Sequence, residues 1–552
     1  MVPDQRAAPN QPPPLSDYNV FRSDAALVNA LAGLAPSDAF ETLDILGAMA
    51  GSAQAQDWAV QANAHPPLLR THDRYGNRID EVTYHPYYHE LMAAAVQFGL
   101  HAAPWSSNAP AAHTVRAAKF YVWGQLEAGH GCPISMTYAA VPAIGAAPAL
   151  ACVWEPKLTA WCYDGELQFV TEKTSALCGM AMTEKQGGSD VRANTTRATP
   201  CGAGDWGQAY LLRGHKWFCS APMSDAFLVL AQADQGLTCF LLPRVLADGS
   251  RNRMFIARLK DKLGNRSNAS AEIEFDDAWA VRVGQPGCGL QTILEMVNFT
   301  RLDCINGSAA LMRAGLAQAA HHATYRHAFG KALIEQPLMQ NVIADLAIES
   351  EAAMRFLLRV AASVDRCARD PRELLIKRLG TAVGKYYVCK RAPAVVAEAL
   401  ECLGGNGYVE ESGMPRLFCE SPLNSIWEGS GNVNALDVFR LLTKQPDVLD
   451  AFRAEIEPSL NDPRIRAAAE DLFRRLRTGS EDQARVIAER TALLWQASLL
   501  YAAGDGTAAD LFIASRLNGA WSGALGTLPA ANALGYLARR AAPVENVEYT
   551  VQ

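Results

Sequence analysis

No Cys-x-x-Cys pair occurs among the 13 cysteines of this 552-residue chain. That spacing is what most structural zinc sites use, so the cysteines, scattered from Cys132 to Cys419 in apolar surroundings, read as small apolar residues of a reduced protein. No run of about 18 uninterrupted apolar residues appears, and no transmembrane helix is expected. The opening stretch, MVPDQRAAPNQPPPLSDYNV, lacks the apolar centre of a signal peptide, so the expected location is the cytoplasm. Positive charge is also short. Lys plus Arg number 50 against 57 Asp plus Glu, a net charge of −7, which excludes overall attraction to DNA or to an anionic membrane and leaves only local patches. The glycine-rich run at 183–190 is neither a Rossmann G-x-G-x-x-G pattern nor a Walker loop.

Apolar residues are plentiful at 49%, and charged ones make up 19%, a balance suited to large buried cores in several domains. Pro12, Pro13 and Pro14 disfavour helix, so residues 1–22 read as an extended arm, either a disordered tail or a segment packed on another subunit. Residues 23–175 are mostly helical in pattern, as in Leu91, Ala94, Ala95 and Phe98. Residues 176–285 read as an antiparallel β-domain, with short apolar runs at 226–230 and 239–242 and period-two alternation at 271–275. Residues 286–444 predict a bundle: a very long helix over 290–328, a second over about 339–368, a third opened by Pro371 and a fourth by Pro393. Residues 445–552 are helical again, with starts at Asp462-Pro463 and after the capping-box spacing of Ser480 to Gln483, and stops at Gly504 and Gly519. The fold class is mainly α with a β-domain.

Five segments carry chemistry. In Met182-Thr183-Glu184-Lys185-Gln186-Gly187-Gly188-Ser189-Asp190, paired glycines let a ligand approach the backbone and the hydroxyls supply hydrogen bonds; alone it is also an ordinary turn. Lys216-Trp217-Phe218 places neighbouring aromatics on a strand, which either cover a flat ring or pack in a core. Arg326-His327-Ala328-Phe329-Gly330 ends the long helix with an arginine able to grip phosphate or simply to complement the helix dipole. In Glu401 to Tyr408, three glycines fall in four residues where a helix cap needs one, which suggests a closely approached backbone. Ile426-Trp427-Glu428-Gly429-Ser430-Gly431-Asn432 holds one acid in a tight turn before a helix. Glu428 is either a base or a helix cap; as a base, its ordinary pKa of about 4.3 would need raising by desolvation.

Together, and in this order, the motifs resemble the acyl-CoA dehydrogenase family over roughly residues 80–445. The T-E-x-x-x-G-S-D run at 183–190 is similar to its flavin loop, Arg326-x-x-Phe329-Gly330 to its cofactor-contacting R-x-x-F-G, and Glu428-Gly429-Ser430 to its catalytic E-G-T/S. The match is closer to an isovaleryl-CoA dehydrogenase-like subgroup of alkylation-response (AidB-type) proteins, and then covers almost the whole chain, including Asn10-Gln11-Pro12 and the helical C-terminal extension. The resemblance implies a helical domain, a β-domain, a four-helix bundle and a C-terminal helical domain. It implies FAD as cofactor, a homotetramer built as a dimer of dimers, and an acyl-CoA-like substrate.

The FAD contacts it implies are Met182, Thr183, Gly187, Gly188, Ser189, Lys216, Trp217, Phe218, Arg326, Phe329, Glu401, Gly404, Gly405, Ile426, Trp427, Gly429, Ser430 and Asn432. Glu428 would remove the α-proton of a thioester while hydride leaves the β-carbon for flavin N5. Three residues depart from the family pattern: Lys185 stands where proline usually follows Thr-Glu, Glu401 where a glutamine usually contacts the adenosine side, and Pro337 where a glutamine often follows R-x-x-F-G. They bear on the adenine-end contacts more than on the flavin ring. The subgroup also implies double-stranded DNA binding by the C-terminal helices. From Gln445 onward there are 11 Arg, no Lys and 14 acids, so composition favours a solvated surface, while the resemblance favours a patch of Arg464, Arg466, Arg474, Arg475, Arg477 and Arg485. The other function in view is a metabolic short- or branched-chain acyl-CoA dehydrogenase without a nucleic-acid role.

Overall fold

In the computed structural model of the protein, residues 10–107, 109–519, 523–529 and 531–543 are described. The chain divides into two compact units. One comprises residues up to Gln56, His113–Leu126 and Cys304 onward; the other comprises Asp57–Ala112 and Glu127–Asp303.

The second unit is a strand circuit with helices. β1 (Leu68–His72) and β2 (Arg78–Thr83) form a hairpin within the stretch read as helical. Its residues alternate weakly and are largely polar, so periodicity gave it no signature. β3 (Cys178–Ala181), β4 (Arg197–Gly204), β5 (Gly207–Ser220), β6 (Ala226–Ala233), β7 (Gly236–Pro243), β8 (Met254–Leu259) and β9 (Ser270–Val283) form one sheet. β5 pairs with β4 and β9, β9 with β7, β7 with β6, and β6 with β4. These pairings close on themselves, which leaves little exposed edge. The expectation of a purely antiparallel domain is corrected at β6, which meets both β3 and β4 in parallel. The six residues 226–231 of β6 and most of β7 are buried on both faces, which explains their unbroken apolar character.

The first unit is helical. The long helix α1 runs Gly289–Tyr325, of which the part from Cys304 belongs to this unit; α2 runs Pro337–Arg366 and α3 Pro371–Glu401. Pro393 does not open a fourth helix, because it lies inside α3. A proline there costs one main-chain hydrogen bond, and the packing of α3 along α2 outweighs that local loss. The last bundle helix, α4, runs Gly431–Lys444 and packs on α3.

Two C-terminal helices, α5 (Pro463–Thr478) and α6 (Ala484–Ala502), follow, and α6 packs against α2, α3 and α4. Trp495 on α6 is fully buried between Phe356 and Phe452, with ring centroids 5.1 and 5.4 Å away. Gly380 makes room for it: a Cβ there would lie 2.8 Å from Val360 and 3.3 Å from the Trp495 ring. α5 starts as read, with Asp462 accepting from Arg464 N. The capping box before α6 is not made, since the Ser480 hydroxyl turns to Asp482. Beyond α6, a π-turn at Ile513–Leu517 carries Arg516, whose buried guanidinium meets Asp345 and Glu349 of α2.

Part of the N-terminal arm is placed against its own chain. Its first nine residues lie outside the described ones. From Asn10 it is held by its own chain: Asn10 Nδ2 donates to His327 O at 2.8 Å, His327 N donates to Asn10 Oδ1 at 2.6 Å, and Arg326 Nη1 donates to Asn10 O at 2.7 Å. His321 Nε2 lies 2.8 Å from Pro13 O, and Leu15 is buried.

Candidate functional site

The Glu428 turn is built on the first unit between a short 3-10 turn and α4. Residues Leu423–Ser425 make that turn, and Trp427 Nε1 donates to Asn424 Oδ1 at 3.0 Å. Glu428 then adopts φ +58 and Gly429 φ +99. A non-glycine residue in the left-handed region costs about 1–2 kcal/mol, and such strain gathers at functional sites. Ser430 occupies the cap position of α4, so Glu428 stands two residues before the cap. The Gly429 carbonyl is gripped twice. Lys385 Nζ donates to it at 3.0 Å from α3, and Asn434 Nδ2 donates at 2.5 Å, with a further bond of 3.2 Å to Ser430 O. Glu428 is half-buried, while Ile426 is 63% exposed beside it.

Elsewhere on this unit, Arg326 and Phe329 sit at the end of α1. His327–Ala328 pairs with Lys331–Ala332, and the two residues between them, Phe329 and Gly330, have φ +53 and +80. That is the two-residue hairpin turn whose centre demands positive φ twice. Phe329 is 100% exposed at its tip. Glu401 ends α3, and Gly404 (φ +60) and Gly405 are exposed with nothing within 4 Å of where a Cβ would stand. Asn406 Nδ2 donates to Gln11 Oε1 of the arm at 3.2 Å.

On the second unit, β3 delivers Met182 and Thr183 to a turn organised by Glu184. This carboxylate is fully buried. It accepts from Lys216 Nζ at 2.8 Å, from Thr195 N and Oγ1 at 2.7 and 2.8 Å, from Thr196 N and Oγ1 at 3.1 and 2.6 Å, and from Gln186 Nε2 at 2.8 Å. Burial pushes its pKa up, but the bonds from Lys216 and Thr196 outweigh burial and hold the carboxyl well below the usual range. Burial brings Lys216 down to about 8. Lys216 also donates to Leu230 O at 2.8 Å and Met182 O at 3.4 Å, so its three donors are all used inside the protein. Lys216 thus holds the turn; direct donation to a ligand would mean releasing one of these bonds.

Gly187, Gly188 and Ser189 are exposed beyond it, and a Cβ on Gly188 would lie 2.5 Å from Thr183 Oγ1. Trp217 N donates to Thr183 O at 2.8 Å, tying the two motifs together. Adjacent residues of a regular strand face opposite sides, but β5 bulges between Lys216 and Cys219. Lys260 Nζ consequently lies 3.4 Å from the Trp217 ring centre and 4.8 Å from that of Phe218, which is 52% exposed.

Three family descriptions match the chain in succession: the adaptive response protein AidB N-terminal domain over residues 10–165, the acyl-CoA dehydrogenase middle domain over 179–278 and the acyl-CoA dehydrogenase C-terminal domain over 287–442. The putative acyl-CoA dehydrogenase AidB of Escherichia coli (strain K12) is 45% identical over 88% of this chain and 89% of its own. The chain belongs to the acyl-CoA dehydrogenase family. Acyl-CoA dehydrogenase family member 11 of Caenorhabditis elegans is 29% identical over 80% of this chain and 74% of its own. Among solved structures, the Bd2924 apo-form superposes with a TM-score of 0.82 at 28% identity, covering 89% of this chain and 99% of that one. The Caenorhabditis elegans ACDH-11 complex with C11-CoA superposes with a TM-score of 0.82 at 25% identity, covering 97% and 93%. As a member of the acyl-CoA dehydrogenase family, the protein is a FAD-dependent oxidoreductase of that type. Within the second unit, the exposed backbone at Gly187, Gly188 and Ser189 and the exposed Phe218 ring have the chemistry such a group takes.

The arginines of the C-terminal helices are largely compensated. Arg464 pairs with Asp462 and Asp510 at 2.7 and 2.6 Å, while Arg474 and Arg475 share Asp471. Arg466 donates to Leu460 O at 3.0 Å. Arg466, Arg477 and Arg485 are exposed and pair with no acid among the described residues. Arg485 leaves α5 altogether; it lies on α6 near Gly431, 3.7 Å from where a Cβ would be. Sequence reasoning missed Lys385 and Asn434. A lysine inside the small and apolar stretch Val383-Gly384-Lys385-Tyr386-Tyr387-Val388 was the available signal.

Proposed function

We propose that this chain is a FAD-containing acyl-CoA dehydrogenase of the adaptive response to DNA alkylation, with Glu428 as the base that takes the α-proton of an acyl thioester. The left-handed backbone at Glu428 carries this reading, because a strained acid pinned by Lys385 and Asn434 is costly unless its direction matters. FAD, when bound, accepts the hydride equivalent. Backbone at Gly187 to Ser189 and the Thr183 hydroxyl are the donors this chain offers to the cofactor, with Met182, Trp217 and Phe218 lining it. On the first unit, Arg326, Phe329, Gly404, Gly405, Ile426, Trp427, Gly429, Ser430 and Asn432 are the positions the family resemblance marks for cofactor contact. The C11-CoA carried by the Caenorhabditis elegans structure supports an acyl-CoA as substrate.

Glu428→Gln tests the assignment. The variant should retain FAD and its melting temperature, and lose thioester-dependent flavin bleaching by roughly 100-fold or more. Bleaching at the parent rate ends the base assignment.

The adaptive-response part rests on the 45% identical Escherichia coli relative and on the match over residues 10–165. In this reading the protein works in the cytoplasm, consistent with its 13 free cysteines, and assembles as a homotetramer, which would cover exposed apolar residues such as Phe329, Leu338 and Tyr408. Sequence-independent double-stranded DNA binding would fall to the arginines left without acids. Arg466 and Arg477 stand three turns apart on one face of α5, and Arg485 follows on α6. Reversing Arg466, Arg477 and Arg485 together should abolish DNA retention on a filter at low salt. Retention unchanged would favour a purely metabolic acyl-CoA dehydrogenase.

A further inference from the structure

Lys385 has no assigned role, and its placement is unusual. The side chain leaves the middle of α3 and is 1% exposed. A buried ammonium is ordinarily paired with a carboxylate, since desolvating an unpaired charge is costly. Among the described residues no acid pairs with Lys385; its bond is to the Gly429 carbonyl, one residue after Glu428. Its neighbours are cationic as well. Lys390, one turn further along α3, and Arg485 on α6 both approach Gly431, and the pKa of Lys390 is lowered by burial and by the charges of Arg485 and Lys385.

The second grip on the same carbonyl is equally one-sided. Asn434 is fully buried, spends Nδ2 on Gly429 O and Ser430 O, and leaves Oδ1 without a donor among the described residues. Two buried polar side chains, from α3 and α4, are therefore incompletely satisfied in order to hold one carbonyl. Rotating the Gly429 peptide would release both bonds, and that peptide's position depends on the dihedrals that place Glu428 at φ +58. Bonds donated by a charged group are stronger than neutral ones, so the ammonium is the larger restraint.

We infer that Lys385 is a positioning residue of the dehydrogenation site. Together with Asn434 it clamps the Gly429 carbonyl and locks the Glu428 turn in its left-handed conformation, so that the carboxylate is already aimed when a thioester arrives. This rests on the reading of Glu428 as the base. Lys385 touches no reacting atom in this account and acts through the backbone alone.

The test compares Lys385→Met, Lys385→Gln and Asn434→Ser with the parent and with Glu428→Gln, all as full chains. Isovaleryl-CoA and butyryl-CoA serve as probes. In rapid mixing, Lys385→Met should reduce the flavin roughly 10- to 100-fold more slowly with an unchanged thioester dissociation constant, the signature of a misplaced base rather than a damaged binding site. Lys385→Gln, which keeps a donor, should recover part of that loss. In the flavin-free chain, amide exchange at Glu428, Gly429 and Ser430 should quicken about tenfold in Lys385→Met and in Asn434→Ser while exchange across α1 stays as in the parent.

Parent-like exchange at these three amides, or a loss seen equally in dissociation constant and rate, would overturn the inference whichever thioester is used. If Glu428→Gln bleaches like the parent while the exchange changes appear, the base assignment fails and the clamp stands. If Glu428→Gln is inactive and Lys385→Met is indistinguishable from the parent, the clamp alone fails.

Discussion

Two glutamates stand in similar small-residue motifs, and the fold treats them in opposite ways. Glu184, in Thr-Glu-Lys-Gln-Gly-Gly-Ser, is fully buried, receives six hydrogen bonds and pairs with Lys216 at 2.8 Å. Glu428, in Trp-Glu-Gly-Ser, is half-buried on a left-handed backbone, and Lys385 and Asn434 bond the neighbouring Gly429 carbonyl. One acid is saturated and its pKa is driven down, which makes it a poor base and a good anchor. The other stands on a turn whose Gly429 carbonyl is held by Lys385 and Asn434. Motif chemistry alone did not separate the two; burial and backbone conformation do.

The sharpest way to break this contrast is to remove one partner of the buried pair. Lys216→Met strands the Glu184 carboxylate in the β-domain and should cost about 3–5 kcal/mol in chemical denaturation, because the uncompensated charge stays buried. Glu428→Gln should leave the same curve within about 0.5 kcal/mol. If Glu428→Gln proves the more destabilising of the two, the anchor and the base have been assigned the wrong way round.

A smaller effect follows from pH. The folded pKa of Glu184 is depressed, so its stabilisation is complete above its unfolded value of about 4.3 and is lost as pH falls through the lower folded value. Glu184→Gln removes this contribution, so the stability gap between parent and variant should be constant from pH 6 to about 5 and narrow below about 4. A gap that widens on acidification would mean that the carboxylate is not the stabilised form.

How much of this was legible in sequence follows the same division. Long elements with one dominant period were readable: α1, α2 and the start of α3 fall within a few residues of their expected limits, as do β6 and β7. Elements that depend on partners were not. The β1–β2 hairpin alternates too weakly to announce itself. Pro393 was read as a helix start because a proline is poor locally, whereas α3 carries it through by packing on α2. The five motifs were visible because each concentrates glycine, serine or aromatics within a few residues. Lys385 was not visible as part of the turn, since it reaches Gly429 from 44 residues away. The neutralisation of Arg464 by Asp510 is equally a product of the fold, joining residues 46 apart.

Phe329 tests whether a left-handed residue is kept for function, on a segment where the strain can be removed cleanly. Like Glu428, it is a bulky residue at positive φ, but it stands at a fully exposed hairpin tip with no buried clamp assigned to it. Glycine suits such a turn better, so Phe329→Gly should relieve about 1 kcal/mol of backbone strain, offset in part by the greater freedom of glycine when unfolded. The net expectation is a melting temperature equal to the parent or a degree or two higher. If the aromatic is retained to meet the cofactor or another copy of the chain, the same variant should lose FAD on gel filtration, so that stability and function move in opposite directions. A variant that is less stable and retains FAD fully would show that the Phe329 side chain supports the hairpin itself, and the parallel with Glu428 would then reduce to backbone geometry.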